Sequence, residues 1–304
     1  RQMCIRDRVM IMSKGRKAYQ IVINIILVLV ALLMVLPLVL LFMSSITDEN
    51  TLVVNGYSFF PAKFSLGAYQ YIMQNSATIF RAYGITIIVT VVGTAGSLIL
   101  ASLMAFPLSL RDLPGRSILS FYVFFTMLFS GGLVPSYIMW TTTFHIKNTI
   151  WAYILPNFLL GAFNIILVRT FFSTSIPNDI YEAAKIDGAG YPTIYWKIVL
   201  PLGKPILVTI GLFAGLSYWN DWTNGLYYVN QSDMLSIQAL LNRMIQDIQA
   251  LAAHSTADSG ALMQIPQVSI RMAIAFVAIL PILLVYPFLQ KYFASGIMLG
   301  AVKG

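Results

Sequence analysis

Apolar residues fall in six long blocks, at about residues 20–43, 83–106, 118–140, 150–170, 205–222 and 272–292, with polar connections between them. Each block is close to the roughly 20 residues that cross about 30 Å of hydrocarbon as a helix. The pattern therefore predicts an all-α membrane protein with six transmembrane helices. The first block exceeds the roughly 7–15 apolar residues of a cleavable leader and no small-x-small site follows it, so it is expected to remain as an anchor. Residues 1–8 do not read as a natural start, which makes Met10 or Met12 the expected first residue.

The polar connections differ in charge. With both termini on one side of six spans, 14 of the 19 Lys and Arg share that side, leaving Lys63, Arg81, Lys147, Arg243 and Arg271 on the other. The positive-inside rule then puts both termini in the cytoplasm of a multi-pass plasma-membrane protein. The expected layout is a cytoplasmic tail at 1–19 and one transmembrane domain over 20–304, with a cytoplasmic loop at 171–204, an external loop at 225–271 and a cytoplasmic tail at 293–304. Composition agrees: 58% of residues are apolar and 10% charged, against about 25% charged in soluble proteins. The net charge of +8 is a topology signal, and no nucleic-acid partner is expected.

Several residue groups inside the blocks carry information. Ser97, Ala101 and Ala105 recur every four residues beside Gly93 and Gly96, a small face that lets another helix approach closely. The third block contains Gly131, Gly132 and Pro135, which interrupt helical hydrogen bonding at membrane depth. Such breaks occur where a helix faces protein or a water-filled path, so a packing kink and a pathway role both remain open. The fifth block ends in Tyr218, Trp219, Asn220, Asp221, Trp222 and Asn224. Rings for sugar C–H faces beside amides and a carboxylate for hydroxyls suit a carbohydrate path, and the same residues suit an interfacial aromatic belt. Tyr57, Phe59, Phe60, Tyr69 and Tyr71 form a second external aromatic group fitted to the interface.

Other chemistry is excluded. Cys4 is the single cysteine, so neither a disulfide within the chain nor a multi-cysteine metal site is expected. His145 has no second ligand beside it. No GxxxxGK[ST] phosphate loop occurs, so the chain should not hydrolyse ATP itself. Asp and Glu are missing from the middle of every block, which argues against an ion-coupled carrier.

The connection between the fourth and fifth blocks reads Glu182-Ala183-Ala184-Lys185-Ile186-Asp187-Gly188 and, after nine residues, Ile198-Val199-Leu200-Pro201. Pro177 can open a short helix there and Gly188 can stop it. Pro192 can start a second helix, and Pro201 and Pro205 can bend the chain into the next span. This spacing resembles the EAA loop of permease subunits of ABC importers. The stretch Phe129 to Pro135 resembles one subgroup of carbohydrate permeases, and the end from Gln290 to Gly304 resembles the tail of sugar permeases.

The resemblance, to maltose-type permeases in particular, implies the type I ABC importer permease fold with a cytoplasmic coupling helix, and a subunit forming half of a translocation pathway for oligosaccharides. Another polar solute would fit the spacing equally. Glu182, Ala183, Ala184, Asp187, Gly188, Leu200 and Pro201 would meet the ATPase. The implied partners are a second permease forming a heterodimer, two ATP-binding subunits, an extracellular solute-binding lipoprotein and the lipid bilayer. ATP and Mg would sit on the ATPase subunits, with no cofactor or metal on this chain.

Overall fold

The computed structural model describes residues 14–74, 76–156, 159–254 and 268–301. In chain order the helices are α1 (Lys14–Ser45), α2 (Glu49–Asn55), α3 (Gly67–Gln74), α4 (Ser76–Ser109), α5 (Arg116–Leu128) and α6 (Leu133–Ile138). They continue with α7 (Trp151–Ile154), α8 (Ala162–Ser175), α9 (Asn178–Ile186), α10 (Tyr191–Ile194), α11 (Leu200–Leu202) and α12 (Lys204–Trp219). The last three are α13 (Thr223–Tyr228), α14 (Ile237–His254) and α15 (Val268–Ala301). Extended pairing among the described residues amounts to an isolated antiparallel bridge, Thr47 to Phe64.

Among the described residues, three stretches are long and apolar enough to cross a membrane, 19–45, 76–109 and 268–285, and the number rises to five if each of two bent pairs counts as one span. The first bent pair, α5 with 133–143, turns by 109° where the sequence has Gly131 and Gly132, as the break in the third block predicts. Gly132 has φ +87°, a left-handed value that glycine reaches without steric cost. The second pair, 191–202 with α12, turns by 77° around Gly203.

The fourth block departs from expectation. Instead of one helix over 150–170, the chain forms the four-residue α7 and then the separate α8, which runs on to Ser175. Pro156 cannot donate to a helical carbonyl, and Gly161 stands at the N-cap of α8 in an extended conformation. Helix α1 already begins at Lys14, inside the segment expected as a tail, and α15 continues to Ala301. Residues 1–13 and 302–304 lie outside the described residues. The connection between the fifth and sixth blocks holds α13 and α14, and its part at 255–267 lies outside the described residues.

The chain divides into two compact units, one comprising 1–74 with 256–277 and the other 75–255 with 278–304. In the first, none of the most apolar window of α1 is buried, and only its last residues enter a core. Ser45 Oγ lies 2.8 Å from the Tyr69 hydroxyl. Phe42 and Phe276 rings meet at 4.9 Å. Glu49 accepts from the Val268 and Ser269 N–H groups at 2.8 Å each and from the Ser269 hydroxyl at 2.7 Å. The first N–H groups of a helix have no partner within it, and a carboxylate there also meets the positive end of the helix. Glu49→Ala is expected to cost about 1 kcal/mol, as lost caps do, and to speed amide exchange at Ser269.

The second unit is built on α4. Its small face is buried as expected, with Ser97 and Ala105 at 0% exposure and Ala101 at 2%. Ala105 packs with Val168 and Phe172 of α8 in one core cluster, and Ala101 with Ile165 in another. Gly93 admits the Tyr218 ring of α12, since a Cβ built there would lie 2.5 Å from it. A buried hydrogen bond between Ser102 and Tyr195, at 2.8 Å, ties α4 to the loop that carries Glu182.

Candidate coupling surface and pathway face

Local backbone effects shape the loop after α8. Pro177 precedes α9 with an extended ψ, and Asp179 lies in the first turn and Lys185 in the last, as the helix dipole favours. Gly188 ends the helix with φ +77°. Its N–H bonds to the Lys185 carbonyl at 3.0 Å, and the next N–H, of Ala189, reaches back to the Ala184 carbonyl at 2.9 Å. Pro192 then lies in the first turn of α10. A wider π turn, Tyr195–Val199, and α11 complete the loop.

The period of α9 sorts its residues. Tyr181 and Ala184 are buried with Phe172, Ile176 and Ile194, and burial raises the Tyr181 phenol above its usual value, so it stays neutral. Glu182, Ala183, Asp187 and Gly188 are exposed. Glu182 has no ion-pair partner among the described residues. Beside them Ile186 is 86% exposed and Trp196 65%, and Leu200 is half-buried and Pro201 exposed. Thus six of the seven predicted coupling residues are at least partly accessible, on one short paired-helix loop, and Ala184 anchors it. Lys185 reaches Asp112 at 3.7 Å and lies 5.7 Å from the Tyr191 ring centre. These residues border a cleft of about 580 Å³ between the end of α4 and α10.

The second candidate group is divided by the structure. Tyr218 is 1% exposed, Asp221 4% and Asn224 1%. Tyr218 donates to the Ile154 carbonyl at 3.1 Å. Asp221 accepts from the Asn224 N–H in the first turn of α13 at 3.0 Å and from its side-chain amide at 2.8 Å. The same amide lies 3.4 Å from the Pro156 carbonyl. These three side chains build the junction between α12, α13 and α7. Asn220 and Trp222 are exposed, and Gly131 and Gly132 are exposed at the separate bend after α5.

Trp219 borders a groove of about 610 Å³ formed by α4, α12 and the Pro281 turn of α15. Gly211 and Gly215 supply its floor. Sequence reasoning missed Thr90 and Thr94, whose hydroxyls, with the Trp219 indole N–H, are buried without a hydrogen-bond partner among the described residues. The available signal was a pair of hydroxyls four residues apart in an apolar helix.

The connection after α12 is held by Tyr153. Its hydroxyl accepts from the Ser236 N–H at 3.0 Å and lies 3.3 Å from the Met234 carbonyl. Gly225 permits this junction, because a Cβ there would run into the Ala239 methyl group and the Tyr153 ring. Tyr228 stacks on Tyr137 at 5.7 Å, and burial, then Tyr137, raises its phenol above the usual value. Tyr153→Phe leaves a buried N–H unpaired and is expected to cost about 1–3 kcal/mol, read as a lower melting temperature in detergent.

Among the described residues the chain is helical, with broken apolar helices and an exposed paired-helix loop. Residues 97–298 match the family model described as "Binding-protein-dependent transport system inner membrane component", and the chain belongs to that family of ABC importer permeases. It is 41% identical over 278 residues to the polygalacturonan/rhamnogalacturonan transport system permease protein YtcP of Bacillus subtilis, covering 91% of this chain and 96% of the relative. It is 38% identical to protein LplC of the same organism, covering 89% and 90%. Among solved structures it resembles a chain of a bacterial ABC transporter involved in the import of the acidic polysaccharide alginate. That match has 31% identity and a TM-score of 0.77, covering 92% of this chain and 98% of the other.

Proposed function

We propose that this chain forms half of the membrane pathway of an ATP-driven importer for oligosaccharides. The observation that carries this reading is its 41% identity, over nearly the full length of both chains, to a polygalacturonan/rhamnogalacturonan permease. A second, different permease completes the pathway, two cytoplasmic ATP-binding subunits hydrolyse ATP with Mg, and an external solute-binding lipoprotein delivers the sugar. Both termini and the Glu182 loop face the cytoplasm, in keeping with the Lys and Arg distribution.

The exposed face of α9 seats in a groove of an ATPase subunit, with Glu182 paired to a basic side chain. ATP favours the closed pair of ATPase subunits by its differential affinity for that arrangement. Their closure moves the loop as a rigid body, and the spans tilt to exchange an inward opening for an outward one. Tyr195, bonded to Ser102, carries the displacement to α4. Trp219, Thr90 and Thr94 border the groove that forms this chain's share of the sugar's path.

Uptake of labelled galacturonate, arabinose and maltose oligomers into vesicles holding the complete importer tests this reading. ATP-dependent, vanadate-sensitive uptake of at least one oligomer is expected. Uptake that follows an ion gradient and ignores ATP would reject it.

A further inference from the structure

We propose that Arg116 and Arg169 form a binding site for the phosphate of an anionic phospholipid. Both side chains converge on one backbone atom. Arg116 Nε donates to the Leu108 carbonyl at 2.9 Å and Arg169 Nε to the same oxygen at 3.2 Å, so the two Nε atoms are no more than about 6 Å apart. Leu108 belongs to the last turn of α4, where the helix carries roughly half a negative charge. Two full positive charges meet that half charge, and an excess remains.

No carboxylate among the described residues removes the excess. Asp112, four residues before Arg116, pairs with Lys185 instead, at 3.7 Å. Each guanidinium uses its Nε–H on Leu108 and keeps its Nη groups, which have no acceptor among the described residues. Both side chains are half-buried, which limits how well water screens one from the other. A phosphate placed between them relieves the repulsion, and its oxygens match the planar forks of arginine.

The surroundings favour a lipid as the source of that phosphate. Arg116 is the first residue of α5, and immediately after it the helix exposes an apolar stripe: Ile118 at 74%, Phe121 at 63%, Tyr122 at 66% and Phe125 at 39%. A headgroup on the arginines would lay its acyl chain along that stripe. Placing the site at the inner leaflet rests on the orientation proposed above, with Arg116 and Arg169 on the cytoplasmic side.

The test uses the complete importer, delipidated in detergent, with phosphatidylglycerol, phosphatidylcholine of matched chains, or inorganic phosphate added. Native mass spectrometry counts bound lipid, and melting temperature reports stabilisation. Wild-type protein is expected to retain phosphatidylglycerol over phosphatidylcholine by about tenfold or more. The double variant R116Q/R169Q should lose that preference, and R116K/R169K, which keeps the charge but not the forks, should hold an intermediate one. Equal retention of both lipids by wild-type protein overturns the proposal, and that measurement does not depend on any variant folding. A preference that survives R116Q/R169Q also overturns it. Stabilisation by inorganic phosphate equal to that by phosphatidylglycerol assigns a free-anion site and overturns the lipid source. Dissociation of the ATPase subunits from R116Q/R169Q, with lipid retention unchanged, assigns the arginines to protein contact and overturns it as well. ATP-driven uptake by wild-type vesicles, measured in parallel, tests the permease reading separately.

Discussion

Gly188→Asp should abolish ATP-driven uptake while the protein still reaches the membrane in normal amount. Gly188 sits at φ +77°, and a Cβ built there meets nothing within 4 Å. The fold therefore bears only the backbone cost of a left-handed L-residue, roughly 1–2 kcal/mol, at the lower end for Asp, which can bond locally. The functional cost is larger. A new carboxylate would stand beside Asp187 at the negative end of α9, on the face proposed to meet the ATPase, and like charges there oppose the dipole. A loss of about 1.4 kcal/mol from coupling already lowers the rate tenfold. The checks are uptake in vesicles and an immunoblot of the membrane fraction. Unchanged uptake would remove this loop from the mechanism, and absent protein would mean that Gly188 is needed for folding instead.

Gly93→Leu is expected to destabilise the second unit strongly. A Cβ at that position lies 2.5 to 2.7 Å from three atoms of the Tyr218 ring. The ring is 1% exposed and its hydroxyl is fixed on the Ile154 carbonyl at 3.1 Å, so it has little room to withdraw. Overpacking of this kind costs about 1–3 kcal/mol per site, and displacing the ring would also break the bond to Ile154. Size-exclusion profiles after a heating series should show a clear fall in melting temperature. Adding Tyr218→Ala should restore part of the loss, because touching residues are not additive. A double variant less stable than the sum of the singles would place the damage elsewhere.

How much of the molecule is legible in its sequence depends on the range of the interactions. The loop at Glu182 was readable because Pro177, Gly188 and Pro192 act on their own backbone, and the helix, stop and second helix appear where those residues put them. The four-residue repeat of Ser97, Ala101 and Ala105 was readable because it is a property of one helix. The fourth block reads as one helix because apolarity marks burial or lipid contact without saying that the helix is continuous, whereas Pro156 and Gly161 within it carry the break. Asp221 and Asn224 looked like sugar ligands by residue type. Their partners, Pro156 and each other across the start of α13, are set by the packing of α7 on α12 and α13, which no local pattern encodes. The Glu49 cap joins residues 219 positions apart and had no signature at all.

Helix α1 is under a different constraint. Within its own unit its apolar window is unburied among the described residues, so the segment from Ile21 to Leu36 is constrained there by oiliness and not by shape. Swapping Leu for Ile or Val there leaves no hole within this polypeptide, whereas a single Asp would strand a charge in oil. Across natural variants, that stretch should drift freely among greasy residues, while the core around Tyr218 holds its identity.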